Sequence, residues 1–147
     1  MTSRSPAVNE SGAREPGRTC PASYGYSPSA LARPAGIHAK TRYVAGGVYG
    51  NPFALSRILE LAEAEPHGAV LVFNGDFNWF NVNACDFAGI NEVVTRHIAL
   101  RGNIETEIAH DDAKAGCGCA YPDEVTYEEV ERSNTIIARL REIARDF

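Results

Sequence analysis

The run Ala69-Val70-Leu71-Val72-Phe73 is an unbroken apolar stretch of strand length, and it ends directly in Asn74-Gly75-Asp76. A strand with one wet face alternates apolar and polar residues. An unbroken run instead fits a strand covered on both faces, as in a parallel sheet. Parallel neighbours need crossover connections, usually helices, so the flanks of this run must supply them. On the N-terminal side, Tyr43-Val44-Ala45-Gly46-Gly47-Val48 predicts a short strand running into a glycine turn. Asn51-Pro52 is a helix start, because Asn caps free amides and Pro is tolerated at the first helical position. Phe53, Leu55, Ile58, Leu59 and Leu61-Ala62 then recur at three- and four-residue spacing, predicting one buried face that Pro66-His67-Gly68 terminates. On the C-terminal side a helix is predicted over about Asp86 to His97, with Phe87, Ile90, Val93 and Val94 inward. Ile98-Ala99-Leu100 predicts a third strand, leading to Arg101-Gly102-Asn103.

Strand, helix, strand, helix, strand is the pattern of right-handed βαβ units. The expected fold class is α/β, with a mainly parallel sheet flanked by helices. Ala113 to Pro122 reads as a loop. Tyr127 to Ala144 reads as one long helix with a stripe of Val130, Ile137, Leu140 and Ile143-Ala144, its acidic start suiting the helix dipole. Residues 1–41 are rich in Ser, Pro, Ala, Gly and Arg without a sustained period, and are expected to be mostly irregular. Tyr24, Tyr26 and Leu31 are the candidates to pin part of that segment. Residues 42–147 are expected to form the α/β domain.

Composition narrows the function classes. A formal net charge of −5 disfavours nucleic acid as the main partner. No apolar run reaches membrane-spanning length, and the N-terminal residues lack the apolar core of a secretory signal. Cys20, Cys85, Cys117 and Cys119 suggest no disulfide framework. A cytoplasmic protein with reduced thiols is expected.

In an open α/β sheet, ligands gather at the C-terminal ends of the strands. Three polar turns fall at such ends: Gly47-Val48-Tyr49-Gly50-Asn51, Gly75-Asp76-Phe77-Asn78 and Gly102-Asn103-Ile104-Glu105. Gly47 and Asp76 are 29 residues apart, and Asp76 and Asn103 are 27 apart; each interval fits one helix plus one strand. Asp76 and Asn103 bring oxygen donors that suit a hard divalent cation. Both residue types also favour helix caps and turns, so the structural reading stands beside the metal one.

The order and spacing of these turns resemble the calcineurin-like metallophosphoesterases, whose signature is Asp-x-His, Gly-Asp, Gly-Asn-His and two later histidine motifs. The similarity covers about residues 42–105. It implies the N-terminal half of a four-layer αββα sandwich, with Asp76 and Asn103 as metal ligands. Apart from that resemblance, Glu105, Asn78 and Tyr49 are candidates to stand around the substrate or behind the ligands. The resemblance also implies a divalent-metal cofactor of the Mn, Mg or Fe/Zn class and metal-dependent hydrolysis of a phosphoester small molecule or phosphoprotein. The chain departs from that pattern at Gly47 and Tyr49, which stand where the first motif has Asp and His, and at Ile104, which stands where the third has His. The later histidine motifs are not found, and His110 is the only histidine after His97. The metal site is therefore expected to be weak or incomplete, and the chain a truncated form. No catalytic residue is assigned. The alternative is a catalytically inactive binding module, or a fragment whose unfinished sheet invites self-association.

The remaining features read more simply. Trp79 and Phe80 are expected in core or lid packing, Cys85 as a buried or half-buried thiol, and His38, His67 and His97 on the surface or at caps. Cys117-Gly118-Cys119 lacks the second pair that a zinc site needs, leaving loop cysteines, metal or redox chemistry as the possibilities.

Overall fold

The structure, a computed structural model, describes residues 16–18, 25, 27–34, 36–110 and 116–147. Expectations for Cys20, Tyr24, Tyr26, the Leu31 side chain and residues 111–115 lie outside the described residues. Three strands, β1 (Arg42–Ala45), β2 (Val70–Phe73) and β3 (Ile98–Ala99), form one sheet in the order β1-β2-β3. Both pairings are parallel, with Ala45 opposite Phe73 and Phe73 opposite Ala99. The helices, in chain order, are α1 (Pro28–Leu31), α2 (Pro52–Glu63), α3 (Ala84–Val94), α4 (Asn103–Ala109) and α5 (Tyr127–Ala144). The coarse expectation of an α/β protein with a parallel sheet therefore holds.

Local chemistry explains the helix ends. Asn51 Oδ1 accepts from the amides of Phe53 and Ala54, and Asn83 Oδ1 caps α3 through Cys85 and Asp86. Thr126 and Glu129 form a reciprocal capping box at the start of α5. The Thr126 contacts also hold the exposed Glu129 carboxyl below its ordinary pKa. Helix α3 starts two residues earlier than its periodicity predicts, because Asn83 supplies the cap, and it ends three residues earlier, at Val94. A single turn, α1, forms within the segment expected to be irregular, capped by Ser27.

Helices α2 and α3 cover the same face of the sheet. Leu55, Ile58 and Leu59 from one and Ile90, Val93 and Val94 from the other pack with Leu71 and Phe73. With strands in the order 1-2-3 and both helices on one side, the two crossovers share one hand. Phe53 and Leu61, predicted to face inward, are instead 84% and 41% exposed. Each lies two residues, about 200° of helix, from an inward leucine. Cys85, expected to be at least half-buried, is exposed in the first turn of α3.

The opposite sheet face is only partly covered. Val72 is buried at its centre, but Val44 is 66% and Leu100 48% exposed. Two-faced cover thus reaches the central strand and fails at both edges. A second core lies beyond the strand ends, where Trp79, Phe87, Ile104 and Cys117 meet Ile137, Leu140 and Ile143 of α5. Residues 16–18 of the N-terminal segment are fastened there too. Tyr121 N donates to Gly17 O at 2.8 Å, and the Arg18 guanidinium donates to the carbonyls of Pro122 and Val125. Among the described residues no helix is long and apolar enough to cross a membrane.

Leu140 is fully buried, so Leu140→Ala is expected to cost about 2–5 kcal/mol in urea denaturation, whereas Thr126→Ala removes one cap for about 1 kcal/mol. Equal losses would contradict the assignment of the second core.

Candidate functional site

The three predicted turns meet on one rim, at the C-terminal ends of β1, β2 and β3. The first is tied to the second by backbone bonds, Tyr49 N to Asp76 O at 3.1 Å and Gly50 N to Phe77 O at 2.8 Å. The second and third press together. A methyl group on Gly75 would lie 2.5 Å from the Cα of Gly102, so a side chain there has no room. Gly75 and Asp76 have φ of +85° and +56°, the left-handed geometry that glycine adopts freely and that Asp tolerates better than most residues.

Two carboxylates sew the second turn to the third. Glu105 Oε2 accepts from Asp76 N at 2.7 Å and from Gly102 N at 2.9 Å, and its Oε1 accepts from Phe77 N at 3.0 Å. Asp76 Oδ1 accepts from Ile104 N at 3.1 Å. Gly102, the N-cap of α4, has no side chain to satisfy that amide. A methyl group added there would lie 2.7 Å from Asp76 Cγ, so the Asp76 carboxylate occupies the space of the missing cap. The third turn was predicted only as a turn; it opens a helix because its cap comes from a residue 28 positions away. Asp76 Oδ2 accepts no hydrogen bond among the described residues.

Asn103 lies beside this clasp in the first turn of α4. Its Nδ2 donates to Cys117 O at 3.2 Å and approaches Cys119 Sγ at 3.7 Å. The structure thus brings Asp76, Asn103 and Glu105 together. Asn78, two residues after Asp76, is 1% exposed, with Oδ1 accepting from Asn81 Nδ2 at 2.9 Å and Nδ2 without a hydrogen-bond partner among the described residues. Tyr49 is 50% exposed at φ +53°. Its ring lies over Gly47, where an added methyl would sit 2.7 and 2.8 Å from Cε2 and Cε1. The ring fills the volume into which a side chain at position 47 would project. Trp79 is buried in the second core, whereas Phe80, also expected in packing, is 54% exposed.

Sequence reasoning missed what the Cys117-Gly118-Cys119 loop touches. Cys119 Sγ donates to the Cys117 carbonyl at 3.4 Å. The neighbouring Cys119 side chain lowers the pKa of Cys117, and the Cys117 side chain together with burial raises that of Cys119. Behind the loop, Arg141 donates to Gly116 O and pairs at 2.9 Å with Glu107, whose side chain is 3% exposed. The only sequence signal was the Gly-Cys-Gly-Cys repeat itself, which does not say what the loop folds against.

A two-metal centre needs several protein donors per ion. Among the described residues no three His, Cys, Asp or Glu side chains cluster so as to hold a metal ion. Compared with known proteins, the chain matches no family model, no curated protein and no solved structure.

Glu105→Ala leaves three amides without their acceptor and is expected to cost about 3 kcal/mol or more, while Asp76→Ala removes one trans cap for about 1 kcal/mol. Chemical denaturation checks the order; a larger loss for Asp76→Ala would break the account of the clasp.

Proposed function

We propose that the chain is a metallophosphoesterase-like module carrying part of a site for metal-dependent phosphoester hydrolysis. The observation that supports this most is the convergence of the three glycine turns on one rim, where Asp76 caps the helix whose first residue is Asn103. In this reading Asp76, through Oδ2, and Asn103 face a divalent cation of the Mn, Mg or Fe/Zn class. Such an ion, when bound, supplies Lewis-acid charge and a lowered pKa for bound water. Glu105 holds the Asp76 turn, and Asn78 and Tyr49 lie close to where a phosphoester would sit. The half-covered sheet suits one half of an αββα sandwich, whose other half would bring further donors.

A second reading is favoured by two specific contacts. The Tyr49 ring fills the space above Gly47, and Asp76 Oδ1 is committed to capping α4. On this view the turns have become structural clasps and the chain is a catalytically silent binding module.

Turnover of p-nitrophenyl phosphate and bis-p-nitrophenyl phosphate with Mn²⁺ separates the two. The hydrolase reading expects Mn²⁺-dependent turnover that Asp76→Ala removes and that Glu105→Gln lowers by about 10- to 100-fold, as loss of an orienting partner does. Identical rates for wild type and Asp76→Ala leave the silent module.

A further inference from the structure

We infer that the cavity between the turn after β2 and helix α5 binds a small zwitterion that joins a quaternary ammonium to a carboxylate. The inference is independent of the phosphoester reading. The cavity holds about 360 Å³, within the range of small-molecule sites. Three aromatic rings line it: Trp79 and Phe80 after β2, and Tyr121 from the loop before α5. The Trp79 and Phe80 rings lie 5.3 Å apart and are tilted by 50°, as adjoining walls rather than a stack. The Tyr121 hydroxyl is steadied by Ser133 Oγ at 3.0 Å. Aromatic faces carry negative charge density and hold a cation without hydrogen bonds. Val125 and Ile136 add apolar wall against which methyl groups on nitrogen can pack.

Two side chains of opposite charge complete the lining. Glu129 and Arg132 stand three residues apart on one face of α5. Thr126 holds the Glu129 pKa down, so its carboxylate is ionised at neutral pH and favours the ammonium. Arg132 makes no ion pair or hydrogen bond among the described residues, which leaves its guanidinium open to a carboxylate. Trp79 is 7% exposed, yet its indole N–H has no acceptor among the described residues. A buried indole N–H ordinarily finds one, and an acceptor in the cavity that the ring lines would supply it. Phe80 adds an independent sign. It is the third residue of the turn closed by Asn81 N to Asn78 O at 3.1 Å, and its φ is +74°. Such a position favours glycine and strains a bulky residue. The strain gains little burial, since Phe80 stays 54% exposed. A ring held out beside the cavity against the preference of its backbone is what a recognition wall requires.

The test titrates the full chain with trimethylammonium carboxylates of increasing chain length, from glycine betaine to γ-butyrobetaine. Each is paired with its carbon isostere, in which a tert-butyl group replaces the trimethylammonium. Trp79 is the single tryptophan, so its fluorescence reads the site directly, and calorimetry gives the affinity. The expected result is saturable binding of at least one betaine, about tenfold tighter than its isostere. Arg132→Gln, at an exposed position without partners, should weaken that binding by about tenfold. Phe80→Gly, which suits the left-handed backbone, should weaken it by a similar factor while circular dichroism shows the fold kept. No binding across the series, equal affinity for betaine and isostere, or unchanged affinity in either variant overturns the inference.

Discussion

The exchange of hydrogen bonds between the turn after β2 and the turn after β3 is the constraint on which the rim depends. Glu105 reaches back to three amides, and Asp76 reaches forward to a fourth. Each carboxylate satisfies amides that a helix start or a left-handed turn would otherwise leave without an acceptor. Neither turn holds this shape alone. Gly102 gives α4 no cap of its own, and the Gly75-Asp76 backbone sits at φ values that cost an ordinary residue energy. The first turn joins through Tyr49 and Gly50, so the ends of all three strands become one hydrogen-bonded unit.

The parts of this fold legible in the sequence are those governed by local period and capping. The unbroken run of β2, the Asn51-Pro52 start of α2 and the stripe of α5 each follow from chemistry within a few residues, and the bounds of α5 coincide with the prediction. Phe53 and Leu61 were misread because apolar spacing does not say which side of a helix meets the sheet. Helix α4 was missed as a helix because its cap is nonlocal. Glycine before Asn-Ile-Glu looks like a turn until a carboxylate from another strand end completes it.

The candidate site was legible in its parts more than in its contacts. Asp76, Asn103 and Glu105 could be grouped from sequence because parallel strands deliver their C-terminal turns to one edge. What could not be read is how the groups are spent. One oxygen of Asp76 goes to an amide, all of the Glu105 contacts go to the backbone, and the Asn103 amide goes to a cysteine loop beginning 14 residues later. Tyr49 shows the same limit, since its side chain type suggests a ligand while its position over Gly47 fills a volume.

These allocations explain why structure and chemistry compete at this rim. Carboxylates that bind metal tightly present several lone pairs to the ion, whereas here three backbone amides bond to Glu105 and a fourth to one oxygen of Asp76. The remaining Asp76 oxygen and the neighbouring thiols are the groups with chemistry left to offer, and both touch α4, one through Ile104 and one through Asn103. A seven-residue helix has little stability of its own and is held by α5, by the Glu107–Arg141 pair and by its borrowed cap. The backbone amides that build the rim also begin α4, so the contacts of Asp76 with Ile104 N and of Asn103 with Cys117 O fall within a single helical turn.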